Sequence, residues 1–489
     1  MNLYIVYLLS TVELSFMVDE KEENNIMTKD MTQGKPMKLI LAFVIPMLFG
    51  VLFQQFYNLI DTLIVGRYLG VNPLAALGST SSINFLVIGF CMGICVGFSI
   101  PIAHKFGAGD FVGLRKFVAN SVWLGVIIAA ILTAVTVFFC KDILVLMKTP
   151  SDIIDDAYAY IVVIFIGIPT VFLYNILSGV IRALGDSKTP VIFLIIASLV
   201  NIVLDLLFIL QFDMGVAGAA WATVISQALS GILCLIFIKR KFEILKISKE
   251  EWKPDGLMIK TLCGMGLPMG LQYSITAIGS VVLQTAVNGL GSLAVASVTA
   301  AGKIGGFLAC PFDAMGSTMA TYGGQNIGAK KLSRIKTGLF DCIKLGAVYS
   351  VIAFLIALFF GAPLGSLFVE AKDAAETALI LDNVKLFLTI STAFYFPLAL
   401  VNIIRFMIQG IGFPQIAILA GVLEMIARAF AGFVLVPIFG FPAAAMGSPI
   451  AWIFADAFLI PAFFYVYKKL RIQYGDDAQE DTISVVHVE

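Results

Sequence analysis

Long apolar blocks, separated by short polar stretches, run along most of this 489-residue chain. A helix that crosses a membrane needs about 20 consecutive, mostly apolar residues. Twelve blocks are long enough, and each predicts one membrane-spanning helix. Their approximate extents are 37–66, 74–103, 119–140, 157–180, 190–211, 215–239, 258–288, 292–322, 338–361, 376–407, 413–436 and 441–467.

Polar residues interrupt some of these blocks in an ordered way. In the first block, Gln54, Asn58 and Asp61 recur at spacings of four and three, which places them on one helix face. The fifth block carries Asn201 and Asp205 four residues apart. A charge in mid-membrane costs about 2.5–3.5 kcal/mol, so these side chains are expected to face a cavity or a partner.

The depth of these residues in the membrane indicates whether they can meet. At 1.5 Å per residue, Asn201 lies roughly 18 Å and Asp205 roughly 24 Å into the fifth helix. Thr223, on the sixth helix, reaches a depth similar to that of Asn201, and Asp61 falls in the same outer half once helix tilt is allowed for. We therefore expect Asp61, Asn201, Asp205 and Thr223 to share one pocket.

Such a set of oxygens suggests a cation site. Carboxylate, amide and hydroxyl oxygens are hard ligands that suit a small cation such as Na⁺, and the same carboxylates in a low-dielectric cleft could instead carry protons. Structural explanations remain open, since an Asn in a membrane helix often only joins helices. Thr223 could serve packing alone, and Asp61 could mark a helix end. Candidates for lining a substrate cavity are Gln54, Tyr57, Asn58, Asn175 and Asn402.

Composition supports the membrane assignment. Hydrophobic residues make up 60% of the chain and charged residues 13%, and the mean hydropathy is +0.97. Soluble domains carry about 25% charged residues, so we predict an all-α polytopic membrane protein whose partners include the lipid bilayer. The net charge is zero, which gives no indication of a nucleic-acid partner. Nothing in the sequence indicates the oligomeric state.

Lys and Arg are distributed unevenly between the two sets of alternating loops. One set, with the C-terminal tail, holds eighteen of these residues and the other holds four. Because cytoplasmic loops are enriched in Lys and Arg, we expect both termini to be cytoplasmic and the protein to lie in the cell (plasma or inner) membrane.

The chain also repeats itself. "FGAGDFVGLRK" parallels "IGAKKLSRIK", and "GVAGAAWATVI" parallels "GFPAAAMGSPI", at offsets of 221 and 225 residues. Six spans per repeat predict two pseudo-symmetric six-helix lobes that enter the membrane the same way. The expected divisions are an N-terminal tail (1–35), an N-lobe (36–240), a cytoplasmic linker (241–256), a C-lobe (257–470) and a C-terminal tail (471–489). The first 26 residues are expected to be disordered or to precede a natural start at Met27 or Met31.

Motifs of ATP hydrolysis and enzymatic catalysis are missing from the sequence. There is no G-x-x-x-x-G-K-[ST], G-x-S-x-G or H-E-x-x-H. We therefore expect a protein that is not an enzyme and has no cofactor other than a coupling ion. Without ATP hydrolysis, transport across the membrane would have to be driven by an ion gradient or by the concentration gradient of the substrate.

The sequence resembles the multidrug and toxic compound extrusion (MATE) transporters over residues 36 to 470. The stretches that carry the resemblance are "IPMLFGVLFQQFYNLIDTLIVGRYLG", "LAALG", "RALGDSKTP", "NIVLD" and "GVAGAAWAT". The resemblance implies twelve spans in two lobes and export of lipophilic, often cationic compounds in exchange for H⁺ or Na⁺. It also implies that Asp61 is the first-helix aspartate of the family, and that Asn201, Asp205 and Thr223 belong to an N-lobe cation site.

The second lobe departs from the pattern of those relatives that use C-lobe carboxylates. Leu283 stands where the repeat would place a second Asp61, and Glu424 is four residues from Arg428, which indicates an ion pair. Lys303, Asp313 and Asp456 have no assigned partners. The nearest alternative function is a flippase for a lipid-linked saccharide, whose cavity should be basic. An ion channel or sensor without cargo is a further alternative.

Overall fold

The computed structural model describes residues 30–147, 149–368 and 374–475 of the chain, and within them it contains helices and no strand. The first 26 residues and most of the C-terminal tail, with their predicted disorder and orientation, lie outside these ranges. The helices are α1 (Pro36–Tyr68), α2 (Val71–Gly107), α3 (Phe111–Phe138), α4 (Cys140–Leu146), α5 (Ile154–Ile166), α6 (Ile168–Ala183), α7 (Lys188–Leu210), α8 (Gly215–Lys241), α9 (Gly256–Asn288), α10 (Ser292–Gly328), α11 (Leu332–Gly365), α12 (Ala374–Ala393), α13 (Tyr395–Gly410), α14 (Pro414–Phe430), α15 (Val436–Phe439) and α16 (Phe441–Tyr474), with a 3₁₀ turn at Glu243–Leu245 and a π-helical turn at Ala431–Leu435.

Twelve spans are present when two bent pairs of helices are each counted as one. Ten helical segments of the described chain are individually long and apolar enough to cross a membrane. The predicted fourth and tenth spans are each broken, by 44° between α5 and α6 and by 49° between α12 and α13. These two spans are therefore bent, whereas the sequence predicted single helices at 157–180 and 376–407.

The backbone repeats itself between the two lobes at glycines with positive φ. Gly70 and Gly291 precede α2 and α10 with φ of 97° and 96°. Gly185 and Gly412 have φ of 89° and 102°. L-residues rarely adopt this region, so glycine is needed at each of these turns. The same conformation at matching positions confirms the predicted pair of pseudo-symmetric lobes.

The first helix is shared between the apolar clusters of the two lobes. Ile40, Phe43 and Val44, near the start of α1, are buried in the C-lobe cluster. Ile64 and Val65, near its end, are buried in the N-lobe cluster. Pro46 lies inside α1, shortly after the residues that pack with the C-lobe.

The first helix of the C-lobe, α9, is also shared between the two clusters, with its start packed in the N-lobe. Leu262 of α9 is fully buried in the N-lobe cluster, and Met258 and Ile259 pack against that cluster. Met269, two turns further on, belongs to the C-lobe cluster. Each lobe therefore contains the beginning of the other lobe's first helix.

The two lobes meet most closely at one end of the bundle, which we call the linker face because the linker 242–255 lies there. A Cβ atom added to Gly107 of α2 would lie 1.9 Å from the carbonyl oxygen of Gln325 in α10. One added to Gly328 would lie 2.0 Å from the carbonyl oxygen of His104. Glycine is therefore required where these helix ends cross.

Further hydrogen bonds join the lobes at the linker face. The Gln325 side chain is completely buried, and its Nε2 donates to the carbonyl oxygen of Ala183 in α6 at 2.8 Å. His104 Nε2 lies 2.6 Å from the carbonyl oxygen of Gly410. By contrast, Gly78 and Gly302, in the opposite halves of α2 and α10, have no neighbour within 4 Å of an added Cβ. The lobes are thus sealed at the linker face and separate towards the other face.

Residues 30–35 form a short segment, the strap, which docks on the C-lobe ahead of α1. These residues fall within the predicted N-terminal tail, but here they are well packed. The Met31 side chain is 1% exposed, and its N–H donates to Gln325 Oε1 at 2.8 Å. Arg334 donates to the carbonyl oxygens of Gly34, at 2.8 Å, and Met31, at 3.2 Å. Backbone carbonyls that attract basic side chains of α11 therefore order the end of the predicted tail.

The carboxylate of Glu251 is one of the groups that anchor the linker to α3. Arg115 holds Glu251 by paired contacts of its Nε at 2.9 and 3.0 Å and of Nη2 at 2.8 Å. The Ser248 N–H also donates to Glu251, at 2.8 Å. The Arg115 guanidinium, with the Ser248 N–H, lowers the pKa of Glu251 from 4.5 to about 2. Both partners favour the ionised carboxylate.

We expect the substitution Glu251→Gln to lower the free energy of unfolding by about 1 kcal/mol at neutral pH, after allowing for solvent screening. Because the folded-state pKa is depressed, the contribution of Glu251 is present above pH 4.5 and is lost as the pH falls through about 2. The measurement is the thermal midpoint of the full-length protein in detergent at several pH values. Glu243→Gln, which removes an exposed carboxylate paired with Lys246, is the control. If the difference in thermal midpoint between Glu251→Gln and the wild type did not shrink towards pH 2, the stabilising role of the ionised Glu251 would be contradicted.

Candidate functional site

A cavity of about 300 Å³ opens inside the N-lobe, bounded mainly by α1, α2, α5, α6 and α8. Its walls are aromatic, aliphatic, amide and small polar side chains, with one carboxylate, that of Asp61. The lining residues are Gln54, Tyr57, Asn58, Asp61, Ser81, Asn84, Phe85, Ile88, Gly89, Met92, Tyr160, Ile164, Gly167, Thr170, Val171, Asn175, Thr223, Val224, Gln227 and Tyr273. A cavity of this size and mixed character suits a small, largely apolar ligand.

The carboxyl group of Asp61, on the wall of this cavity, and that of Asp205 lie within hydrogen-bonding reach of each other. Asp61 is 8% exposed and Asp205 is completely buried. Neither oxygen of Asp205 has a hydrogen-bond donor, and neither carboxylate has an ion-pair partner, within the described ranges. Two neighbouring ionised carboxylates are strongly disfavoured in a low-dielectric environment. The pair therefore requires either a bound cation or a proton shared between the two groups.

Asn201 and Thr223 line a second, much smaller pocket next to the first. It measures about 10 Å³, and Tyr57 and Gln227 border both pockets. The side-chain oxygen and nitrogen of Asn201 are buried without a hydrogen-bond partner in the part of the chain that the structure describes. About 10–15 Å³ is enough for one water molecule or a small ion. The four residues predicted to share one pocket are divided: Thr223 lines both pockets, Asp61 lines the larger and Asn201 the smaller. Asp205 lines neither of these pockets and lies beside Asp61.

The predicted substrate-facing residues fall into two groups. Gln54, Tyr57, Asn58 and Asn175 line the N-lobe cavity. Asn402 does not line it, and its side-chain amide donates to the carbonyl oxygen of Leu398, at 3.2 Å, within α13. Asn402 lies on α13 of the C-lobe, away from this cavity.

Several lining residues were not predicted. Gln227 follows Thr223 by four residues on α8, so the helical spacing used for Asn58 could have identified it. Asn84 and Phe85 come from α2, which carries no charged residue near them. Tyr273 is contributed by α9 of the C-lobe, and no sequence spacing links it to the N-lobe residues.

Comparison with known proteins identifies the family. The MatE family model matches residues 46–207 and 268–447, which is most of both lobes. The chain belongs to the MatE family of transporters.

Individual MATE relatives agree with this assignment. The probable multidrug resistance protein YpnP of Bacillus subtilis (strain 168) is 32% identical over 347 residues, which is 71% of this chain and 77% of YpnP. The probable multidrug resistance protein YoeA of the same strain is 26% identical and covers 73% and 79% of the two chains. A MATE crystal structure in complex with MaL6 superimposes with a TM-score of 0.85 at 22% identity, over 90% of this chain and 98% of that one. The predicted fold, and the prediction of a transporter rather than an enzyme, are confirmed.

The C-lobe of this MATE protein contains a separate set of buried charges. Glu424 is paired with Arg405 and lies 3.4 Å from Arg428, so the expected pair of Glu424 and Arg428 is part of a larger cluster. Asp456 is 7% exposed and lies in electrostatic range of Arg405. The cluster joins α13, α14 and α16, and its four formal charges sum to zero. Lys303 of α10 is exposed.

Proposed function

We propose that this protein is a secondary active antiporter that exports lipophilic, often cationic drugs in exchange for H⁺ or Na⁺. In this proposal Asp61, Asn201, Asp205 and Thr223 form the cation site in the N-lobe. The observation that carries it is the pairing of Asp61 with Asp205 in a buried position without a basic partner. Such a pair changes its charge with the outside ion concentration, as a coupling site requires.

The coupling follows from which occupant stabilises which arrangement of the lobes. An ion shifts the equilibrium between two states only by the difference between its affinities for them. Asp61 is at once a wall of the cavity and a neighbour of Asp205. A cation on the carboxylates and a ligand in the cavity therefore affect the same side chain, so that each occupant can disfavour the other.

The arrangement of the lobes fits an outward-facing state. The uneven distribution of Lys and Arg assigns the linker face to the cytoplasm, with both termini on that side and the protein in the cell membrane. The seal between α2 and α10 would then close the cytoplasmic side. Export ends when a ligand leaves through the opposite, separated face.

The proposed substrate class rests on the cavity lining and on the relatives. Aromatic side chains and one carboxylate suit lipophilic cations, because aromatic faces and carboxylates both attract positive charge. The names of both Bacillus subtilis relatives describe probable multidrug resistance. A flippase for a lipid-linked saccharide should have a basic cavity to hold pyrophosphate, and the lining of this cavity includes no Lys, Arg or His.

The test is transport of ethidium by the full-length protein in liposomes, with a pH gradient and a Na⁺ gradient imposed separately. A tenfold ion gradient supplies about 1.4 kcal/mol per ion, so one-for-one exchange should concentrate ethidium about tenfold. One gradient is expected to drive transport and its ionophore to abolish it. Protein-free liposomes are the control. Transport that proceeds equally without either gradient would contradict antiport.

A further inference from the structure

Asp313 is a carboxylate that the proposed cation site does not use. It lies on α10, and its side chain is exposed. No ion pair or hydrogen bond to Asp313 is present in the described ranges.

The other carboxylates deep in the C-lobe contrast with Asp313. Glu424 contacts two arginines, and Asp456 lies near Arg405. Both are nearly inaccessible, so their charges are balanced within the packed protein. A carboxylate that is both accessible and unpaired costs free energy in a membrane protein, which makes a functional role the default expectation.

The position of Asp313 places it on the wall between the lobes. Gly306 lies two helical turns from Asp313 on the same face of α10. A Cβ atom added to Gly306 would lie 3.4 Å from the side-chain nitrogen of Gln55 in α1. Gly302, one turn further along this face, has no neighbour within 4 Å. This face of α10 is therefore directed at α1 and at the space where the lobes separate.

Tyr273 connects this space with the N-lobe cavity. Tyr273 lines that cavity, and it also lies in electrostatic range of Asp313. Arg182 and Arg405 are within range of Tyr273 as well, but neither forms a salt bridge with Asp313 in the described ranges. Tyr273 thus links the N-lobe cavity with a C-lobe carboxylate that has no ion pair in the described chain.

Aromatic groups surround this stretch of α10. Tyr273 and Tyr395 both lie in range of Asp313, and Phe307 packs on Phe56 of α1 with ring centroids 5.0 Å apart. A carboxylate near aromatic rings is the combination that recognises an organic cation with an apolar body.

We propose that Asp313 is the recognition carboxylate for the cationic group of the transported compound, which binds between Asp313 and Tyr273 and extends into the N-lobe cavity. This inference rests on the proposed function and deepens it, because it assigns substrate recognition to the C-lobe wall and ion coupling to the N-lobe pair. The ligand class is a lipophilic monovalent cation.

Equilibrium binding of tetraphenylphosphonium to the full-length protein in detergent tests the inference. Asp313→Asn is expected to raise the Kd about tenfold, because the ionic contact is lost while the side-chain volume is kept. Asp313→Glu should stay within about threefold of the wild type. Asp341→Asn, which removes a carboxylate paired with Lys344 on α11, is the matched control and should bind normally.

The outcomes separate this inference from the proposed function. If the wild type binds tetraphenylphosphonium and Asp313→Asn binds it equally well, Asp313 does not recognise the cation and the inference is overturned. It is also overturned if Asp313→Asn loses its response to the coupling ion while its affinity for the probe is retained. If the wild type itself neither binds nor transports the probe under any gradient, the proposed function fails and takes this inference with it.

Discussion

Replacing Asp205 with Asn is expected to reduce gradient-driven efflux to the level measured without a gradient, a loss of about 100-fold or more. Asp205 is completely buried beside Asp61, and neither of its oxygens has a donor in the described chain. The amide has nearly the same volume but cannot ionise, so the pair loses the variable charge that couples ion and drug. The measurement is ethidium efflux from proteoliposomes under the gradient that drives the wild type.

The same variant should remain folded, because Asn removes a buried charge without changing the volume of the side chain. Its elution from a sizing column and its thermal midpoint should match those of the wild type. Asp155→Asn provides the control, since it removes an exposed carboxylate from the first turn of α5 in the same lobe. Wild-type efflux by Asp205→Asn, or an equal loss in Asp155→Asn, would end the assignment of the cation site.

Adding one methyl group at Gly107 is expected to disrupt the seal at the linker face. In Gly107→Ala the new Cβ would lie 1.9 Å from the Gln325 carbonyl oxygen, which is backbone and cannot rotate away. The helices α2 and α10 must therefore move apart, at a cost of about 1–3 kcal/mol or more. The bonds from Gln325 to Ala183 and from His104 to Gly410 would weaken together.

Hydrogen exchange of the last turns of α10 measures this effect directly, because a loosened helix end exchanges its amide protons faster. Efflux should fall as well, since the proposed outward-facing arrangement would lose its closed side. Gly78→Ala is the matched control on the same helix, where an added Cβ has no neighbour within 4 Å. Equal exchange rates in the two variants would show that the close approach of α2 and α10 does not maintain the seal.

Hydrophobic block length and the internal repeats predicted the twelve spans and the two lobes. The repeated blocks predicted two lobes, and Gly70, Gly291, Gly185 and Gly412 adopt matching positive φ values in the structure. The breaks in the fourth and tenth spans were not predicted. Gly167 interrupts the fourth span and the tenth breaks at Phe394. In both cases a proline stands in the first turn of the following helix, Pro169 in α6 and Pro397 in α13. Proline has no N–H to continue the helix, and this signal was not used in the prediction.

The neighbours of Asp61 could be predicted because each polar residue stands out within an apolar helix. Spacing and depth predicted one pocket for Asp61, Asn201, Asp205 and Thr223, and the structure places Asp61 beside Asp205 and divides the other contacts between two adjoining pockets. Tyr273 and the strap could not be found this way, because spacing within one helix says nothing about which distant helix packs against it. The spacing of apolar residues along a helix also does not show which face packs against another helix, because both lipid and neighbouring helices favour apolar surfaces.

The exchange of first helices between the lobes constrains how the protein can change shape. The start of α1 is embedded in the C-lobe and the start of α9 in the N-lobe. If the lobes rocked as two rigid halves, each would pull on a segment anchored in the other, so α1 and α9 must flex or slide during every cycle. For the same reason, cutting the chain within the linker should not yield two self-sufficient fragments, because each half completes its core only with the help of the other.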